Sequence, residues 1–396
     1  MVEIEFSVME GIPGEADSLL PILEAFEKQY HIHVKLTGIN WFHQGWSEIS
    51  KFGIFGRGPD VSCIGTTWIG SLASMQVLRP FTPQEIRSLG GAEAFFESIW
   101  QSGFLPNDPC LWAIPWLGDP MVYYYWKDTL EKAGVQNFNA AFETDQALVE
   151  TLKKLQKSGI AHPLTLTTIN YPIILHEAAH WVWNAGGDFI SPDNRQAAFN
   201  QPAAMQGLRN YFSLRPFVSP QTRTIGFAGD LFNIGESPIH LGGLWHGITG
   251  RQRNPGWNER MGIAQLPGTA YVGGSSFVIW KYSIYHREAF ELVRFLSSQP
   301  TRIPISPHTD EMPTRSEAFN IPSIENDVFH RTYLLALQNG RSFPSIRLWG
   351  SIESKLVAET AAIWGELFAN PGQDLDECLH RHLDPLAERL NTTLGD

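Results

Sequence analysis

The sequence predicts an α/β protein of two lobes, each a mainly parallel sheet flanked by helices. Three observations carry this. The chain has 396 residues, too many for one simple core and suited to two. Its first hundred residues alternate short period-two apolar runs with longer runs of helical period. A stiff aromatic stretch, IPWLGDPMVYYY from Ile114 to Tyr125, then separates this pattern from a second one. Pro115 and Pro120 fix φ and push the residues before them toward extended geometry, while Gly118 supplies freedom to bend. Trp116, Tyr123, Tyr124 and Tyr125 offer flat amphipathic faces, with the Asp119 carboxylate among them. Such a crossing fits a hinge segment lining a ligand site. A buried aromatic strand fits the same residue types.

Composition narrows the function. Hydrophobic residues at 43% and charged residues at 18% describe a globular chain. A net charge of −12 argues against nucleic acid or an anionic membrane as partner. Cys63, Cys110 and Cys378 are far apart, with no metal spacing and no even disulfide framework, so they are expected as small buried side chains. No apolar run reaches the length of a membrane span. Met1 leads directly into the alternating run Val2 to Val8, so no signal peptide is expected in this sequence, which fits either a cytoplasmic protein or one whose targeting segment has been removed. Aromatics make 12% of the chain, and many tryptophans sit beside Gly, Pro, Asn or His: Trp41, Trp46, Trp68, Trp116, Trp245, Trp257 and Trp349. Tryptophans in loops line sites more often than those in periodic apolar runs, because an indole stacks on flat apolar patches such as sugar faces.

In chain order, Ile4 to Val8 is a strand ending at Met9-Glu10-Gly11. Leu19, Leu20, Leu23, Phe26 and Tyr30 mark a helix face, and Ile32, Val34 and Leu36 a second strand. The GRGPD turn, with Asp60 as its brace, feeds a buried strand over Val61 to Ile64. Strand, helix, strand, helix implies parallel pairing with right-handed crossovers. Ligands of such sheets sit beyond the carboxyl ends of the strands, which puts Glu10, Gly11, Asn40, Trp41, Thr66, Thr67 and Trp68 on one rim.

Beyond the crossing, Thr144 to Gly159 reads as a helix and Leu164 to Ile169 as a strand, leaving Asn170 and Tyr171 at a second rim. A helix from about Pro172 to Asn184 contains His176-Glu177-Ala178-Ala179-His180, the HExxH pattern of zinc peptidases. A third ligand is needed, and Gly186 stands where one extension of that motif puts a histidine. A rim position for His176 is the preferred reading, and no metal is assigned. Asn200 is expected to cap the helix opened by Pro202. Gly273-Gly274-Ser275-Ser276 approaches a buried strand without a nucleotide-loop pattern. Glycine there allows backbone to come near a ligand or forms a bulge. Arg287 to Ser298 is a helix, Pro300 to Pro313 an irregular crossing, and two long helices, from Trp349 and after Gly372, close the chain.

The order ILEAFEKQY, HIHVKL, GPDV, TTWIGSLASMQVLRPF and YYYWKDTLEKAGV resembles the maltose-binding-protein-like family of extracellular solute-binding proteins of ABC importers. The resemblance implies a type II periplasmic-binding-protein-like fold with a cleft between lobes, residues 1–117 and 270–307 forming lobe 1 and residues 118–269 and 308–396 lobe 2. It also implies a monomer that is no enzyme, holds no cofactor, captures an oligosaccharide or glycoside, and hands it to membrane permease subunits. Its place would be the periplasm or a lipid-anchored outer surface. By position in the family, Trp245 of Gly243-Leu244-Trp245 and Trp349 match sugar-stacking rings, Asp119 matches a hydroxyl-binding acid, and Arg315 matches a Pro-X-Arg-X run. Glu10, Trp41, His43, Thr67, Trp68, Trp116, Tyr124, Tyr171, His176, Gly274 and Ser275 complete the expected ligand set. Where maltose-binding protein places an acid and an arginine, this chain has Thr67 and Trp68, which exchanges charged clamps for stacking surface. Two alternatives stay open: a glycoside hydrolase, whose carboxylate pair would have to come from Glu10 and Asp119, and an HExxH peptidase.

Overall fold

The computed structural model describes residues 2–394 apart from 12–13, 42–44, 226–227, 245–246, 248–249, 252–253, 255, 298–311 and 321. The chain divides into two compact units. Unit 1 is Met1–Pro120 with Val272–Gly350, and unit 2 is Met121–Tyr271 with Ser351–Asp396. Among the described residues the strands are β1 (Val2–Glu10), β2 (Ile32–Asn40), β3 (Val61–Gly65), β4 (Leu78–Arg79), β5 (Ile114–Pro120), β6 (Val122–Trp126), β7 (Leu164–Thr165), β8 (Ile239–Gly242), β9 (Met261–Gln265), β10 (Val272–Trp280) and β11 (Met312–Pro313). The longer helices are α1 (Leu20–Tyr30), α2 (Gly45–Phe55), α3 (Asp145–Lys157), α4 (Ile173–Asn184), α5 (Pro202–Phe212), α6 (His286–Ser297), α7 (Val328–Asn339), α8 (Trp349–Ala369) and α9 (Leu375–Leu394). None is long and apolar enough to cross a membrane.

Unit 1 is built on a sheet of order β11-β5-β10-β3-β1-β2, with β4 on β10. Strand β1 runs parallel to β2 and β3, as the alternating pattern predicts. The whole sheet is mixed rather than mainly parallel. The chain re-enters the unit at Val272 and lays β10 down reversed between β3 and β5. Period-two alternation divides the apolar residues between the two faces. Ile4, Phe6, Val61, Cys63, Phe277 and Ile279 pack with Phe26 of α1 and Leu296 of α6. Met9, Ile64, Val278 and Trp280 pack on the other side with Ile69 and Leu72. One buried polar group joins three strands: the Ser7 and Ser62 hydroxyls meet at 2.6 Å, and Trp280 Nε1 donates to Ser62 at 2.7 Å. Asp60 braces its turn, accepting from the Glu5 amide at 2.9 Å and the Ser283 hydroxyl at 2.6 Å.

The third passage between units falls after Gly350, not at 307/308 as expected, because residues 312–350 are tied to β5. Strand β11 pairs with Gly118 and Leu117, and the Thr314 amide and hydroxyl both donate to the Trp116 carbonyl. Of the proline-rich crossing expected over Pro300 to Pro313, residues 300–311 lie outside the described residues and Met312–Pro313 form β11.

Unit 2 carries a four-stranded sheet of order β7-β8-β6-β9, in which only β7 and β8 are parallel. The strand expected to reach Ile169 stops at Thr165, since the Thr167 amide donates to the Glu177 carboxylate instead of a ladder. Helix α5 lies close on α4 because residue 207 is glycine: a Cβ there would stand 2.4 Å from the Trp181 carbonyl oxygen. Its cap is Gln201, not Asn200, whose amide instead donates to Asp384 on α9 at 3.0 Å.

Candidate functional site

The rim predicted at the carboxyl ends of β1, β2 and β3 carries a cluster of indoles. Glu10 stands opposite Asn40 in the β1–β2 register, and the Trp41 amide continues the pairing by donating to the Glu10 carbonyl at 3.0 Å. That hydrogen bond fixes where Trp41 leaves the sheet. Strand β3 ends at Gly65 and turns directly into a 3-10 turn over Thr66–Trp68. The rings of Trp41 and Trp68 lie with centroids 5.4 Å apart at 51°, and Trp46 of α2 adds a third ring 5.8 Å from Trp68. Two glycines seat them. A Cβ at Gly65 would meet the Trp41 ring at 3.0 Å, and one at Gly45 would meet the Trp68 ring at 3.0 Å. Trp41 and Trp68 are half-buried and Trp46 is 40% exposed, so the cluster keeps aromatic surface open to solvent. Trp46 was legible as a loop tryptophan but absent from the expected ligand set. Thr67 stands half-buried beside Trp68.

The other expected residues fare differently. Glu10 is half-buried, and its carboxylate accepts from the amides of Gly14 and Ala16 at 3.2 and 3.4 Å, tying down the turn after β1. Asp119 is half-buried in β5 opposite Gly273, and Tyr171 is half-buried just past β7. Six expectations are corrected by burial or by close contacts. Trp116 is 4% exposed because its ring stacks on Phe277 at 4.6 Å in the core of unit 1. Tyr124 is fully buried and its hydroxyl donates to the Gly243 carbonyl at 2.7 Å, so it ties down the chain just past β8. Ser275 is 1% exposed, locked in β10 between Gly65 and Leu117. Gly274 has φ of +130°, and a Cβ there would lie 2.2 Å from the Leu117 carbonyl oxygen, so this glycine serves strand packing rather than ligand approach. Arg315 is held over the Phe95 ring, with Nε on Glu317 at 2.8 Å and Nη1 on the Leu89 carbonyl at 3.0 Å. Trp349 is fully buried and packs on Phe343 at 4.6 Å, which leaves no exposed face for a sugar. His43 and Trp245 lie outside the described residues.

The HExxH residues of α4 turn to separate tasks. His176 stacks on Tyr271 at 4.0 Å, with Nε2 3.6 Å from Glu353. His180 is fully buried, its Nε2 on Asp145 at 2.7 Å and its Nδ1 near the Thr269 carbonyl. Glu177 is fully buried, and both of its oxygens accept from the Thr167 amide at 3.0 and 2.9 Å. Among the described residues the three do not converge as a ligand set. Burial pushes the Glu177 carboxyl well above its usual 4.5, outweighing the bonds from Thr167 and Tyr211. A raised folded value gives stability that is complete below the unfolded value and drains away as pH rises. Glu177→Gln keeps an acceptor for Thr167 and cannot ionise. Its melting temperature is expected to fall less than the parent's between pH 5 and 8; parallel thermal-melt profiles would refute this.

Residues 13–302 match the model of the bacterial extracellular solute-binding proteins. The chain belongs to that family. Solved structures of similar fold include the sugar-binding protein MalE of Xanthomonas citri, at TM-score 0.83 and 20% identity over 99% of this chain and 97% of that one. An ABC transporter solute-binding protein of Thermotoga lettingae, bound with alpha-D-tagatose, matches at TM-score 0.83 and 18% identity, with all of both chains covered. MalE3 of T. maritima, bound to maltose, matches at 0.81 and 20%, over 98% of this chain and 100% of that one. At these identities the likeness is one of fold, and it gives the family member the two-lobe α/β architecture.

Proposed function

We propose that this solute-binding protein captures a carbohydrate outside the cytoplasm and delivers it to the permease of an ABC importer, without making or breaking a bond. The observation that carries the reading is the cluster at the strand ends of unit 1, in which the Trp68 ring lies 5.4 Å from Trp41 and 5.8 Å from Trp46. Indoles with solvent-open faces suit the apolar faces of pyranose rings. Thr67 and Asp119 of the same unit add hydroxyl-binding chemistry, and a carboxylate acceptor makes such bonds about twice as strong as neutral ones. Several fold relatives are described as binding maltose, tagatose or maltotetraose, which supports the ligand class. Three stacking rings favour an oligosaccharide or a glycoside with an apolar part.

The test is a glycan panel read by thermal shift, since a ligand held only by the native state raises the melting point. For the best ligand, Trp68→Ala is expected to cost about 2 kcal/mol, roughly thirtyfold in affinity, as for a binding hot spot. Calorimetry on the three single tryptophan variants decides: unchanged affinity in all of them sinks the proposal. Cleavage products after incubation with the bound glycan would turn it into a hydrolase.

A further inference from the structure

The hairpin of α8 and α9 in unit 2 brings together three side chains of different chemistry. Cys378 and His382 stand four residues apart on α9 and share one face. Glu366, on the last turns of α8, meets them from the facing helix. The thiol sulfur, an imidazole nitrogen and a carboxylate oxygen all lie within 4.8 Å of one another. We propose that Glu366, Cys378 and His382 form a binding site for a zinc-like divalent transition metal.

The decisive detail is the histidine. Its Nδ1 lies 2.8 Å from Glu359 Oε2, and its Nε2 lies 3.1 Å from Glu366 Oε2. A neutral imidazole carries one N–H and can donate to only one of these carboxylates. With Nδ1–H on Glu359, the Nε2 lone pair faces the lone pairs of Glu366, and a cation between them removes the repulsion. A carboxylate fixing the far nitrogen of a metal-bound histidine is the usual outer-shell arrangement. Arg381 hydrogen-bonds the Cys378 sulfur, a contact that the metal would displace. Arg381 pairs with Glu366 Oε1, which leaves Oε2 turned to His382, and Arg389 stands 3.8 Å from Glu359. The thiol is fully buried, so its sulfur points into the hairpin. Metal binding replaces the thiol proton, which is released to solvent. A thiolate, an imidazole and a carboxylate suit zinc or cobalt, whereas magnesium and calcium require an oxygen set. Three protein ligands leave the fourth tetrahedral position to water. Bound there, the ion would clip the two closing helices together.

The experiment uses the full chain, stripped with EDTA, dialysed and titrated with cobalt(II). One equivalent is expected to bind with a near-ultraviolet thiolate-to-cobalt charge-transfer band, which zinc displaces while raising the melting temperature. Cys378→Ser is expected to abolish the band, and Glu359→Ala to weaken cobalt binding about 10–100-fold. His382→Gln, at a partly exposed position, provides a second reading should the cysteine variant fold poorly, and its affinity is expected to drop more than about tenfold. Absence of saturable binding would leave the four groups as an imidazolium ion-pair network and overturn the site. A band persisting in Cys378→Ser, or an undiminished affinity in His382→Gln, would place the metal elsewhere and overturn it equally.

Discussion

Acidification from pH 6.5 to about 3 is expected to remove about 5 kcal/mol of stability through one side chain, His240. It sits in β8 between Thr165 of β7 and Tyr124 of β6, 2% exposed, with Nδ1 2.7 Å from the Thr165 hydroxyl. Tyr124 and Phe232 flank the ring, and Gly242 leaves it room. Burial is the main cause that lowers the imidazole from 6.5 to about 3, and the Thr165 bond restores little of it. The unfolded chain takes up a proton near 6.5, the folded chain only near 3. The contribution is therefore complete above 6.5 and drains away as pH falls. At roughly 1.4 kcal/mol per pH unit the interval is worth about 5 kcal/mol. Glu177 works in the opposite sense, since its contribution grows as pH falls, so unit 2 holds two buried groups that bound its stable range from both sides. His240→Gln keeps a hydrogen-bonding group toward Thr165 without the charge. Denaturant unfolding at pH 7 and pH 4 is expected to show the variant losing about 3 kcal/mol less than the parent. Equal losses would show that some other group governs the acid limit.

Gly274→Ala is expected to destabilise unit 1 by about 4 kcal/mol. Two terms combine. A non-glycine residue at φ +130° carries a strain of about 1–3 kcal/mol. Its Cβ would also stand 2.2 Å from the Leu117 carbonyl oxygen and 2.8 Å from Gly118 Cα, both backbone atoms that no rotamer change can move aside. Overpacking of that kind costs about 1–3 kcal/mol more. The register between β10 and β5 slips between Ser275 and Ser276, so the glycine is where the sheet absorbs an irregularity. Urea unfolding with glycan affinity measured in parallel separates the roles. Lost stability with unchanged affinity supports a packing glycine, and the reverse would restore it to the ligand set.

Strands β1 and β2 and helix α1 of unit 1 were readable because each has one dominant period, whereas α2 and α7 went unread. Ile4, Phe6 and Val8 alternate, and Leu23 and Phe26 recur at helical spacing; both patterns report local geometry. The rim followed from sheet topology, and Trp41 and Trp68 did come together there. What failed was telling a stacking tryptophan from a core one. Trp116 and Trp68 look alike in sequence, each near a glycine, and only the partner across the sheet, Phe277, decides that one is buried. The third passage between units was misplaced because a two-residue strand, Met312–Pro313, has no period to read. The cysteine spacing hid the Glu366–Cys378–His382 group for a related reason. Its members come from two helices, and Cys-to-Cys intervals carry no information about a Cys–His pair one turn apart.

The position of β10 governs how this chain can acquire its structure. Strands β3 and β5 do not touch; β10 is the piece that joins them, and it is made only after the intervening segment of unit 2, about 150 residues. At ribosomal speeds the nascent chain waits roughly 10–30 s with two apolar strand edges open. Through that interval the amino-terminal segment is exposed to edge-to-edge aggregation. Productive synthesis thus demands either a holding chaperone on those edges or a delay of collapse until Trp280 has emerged.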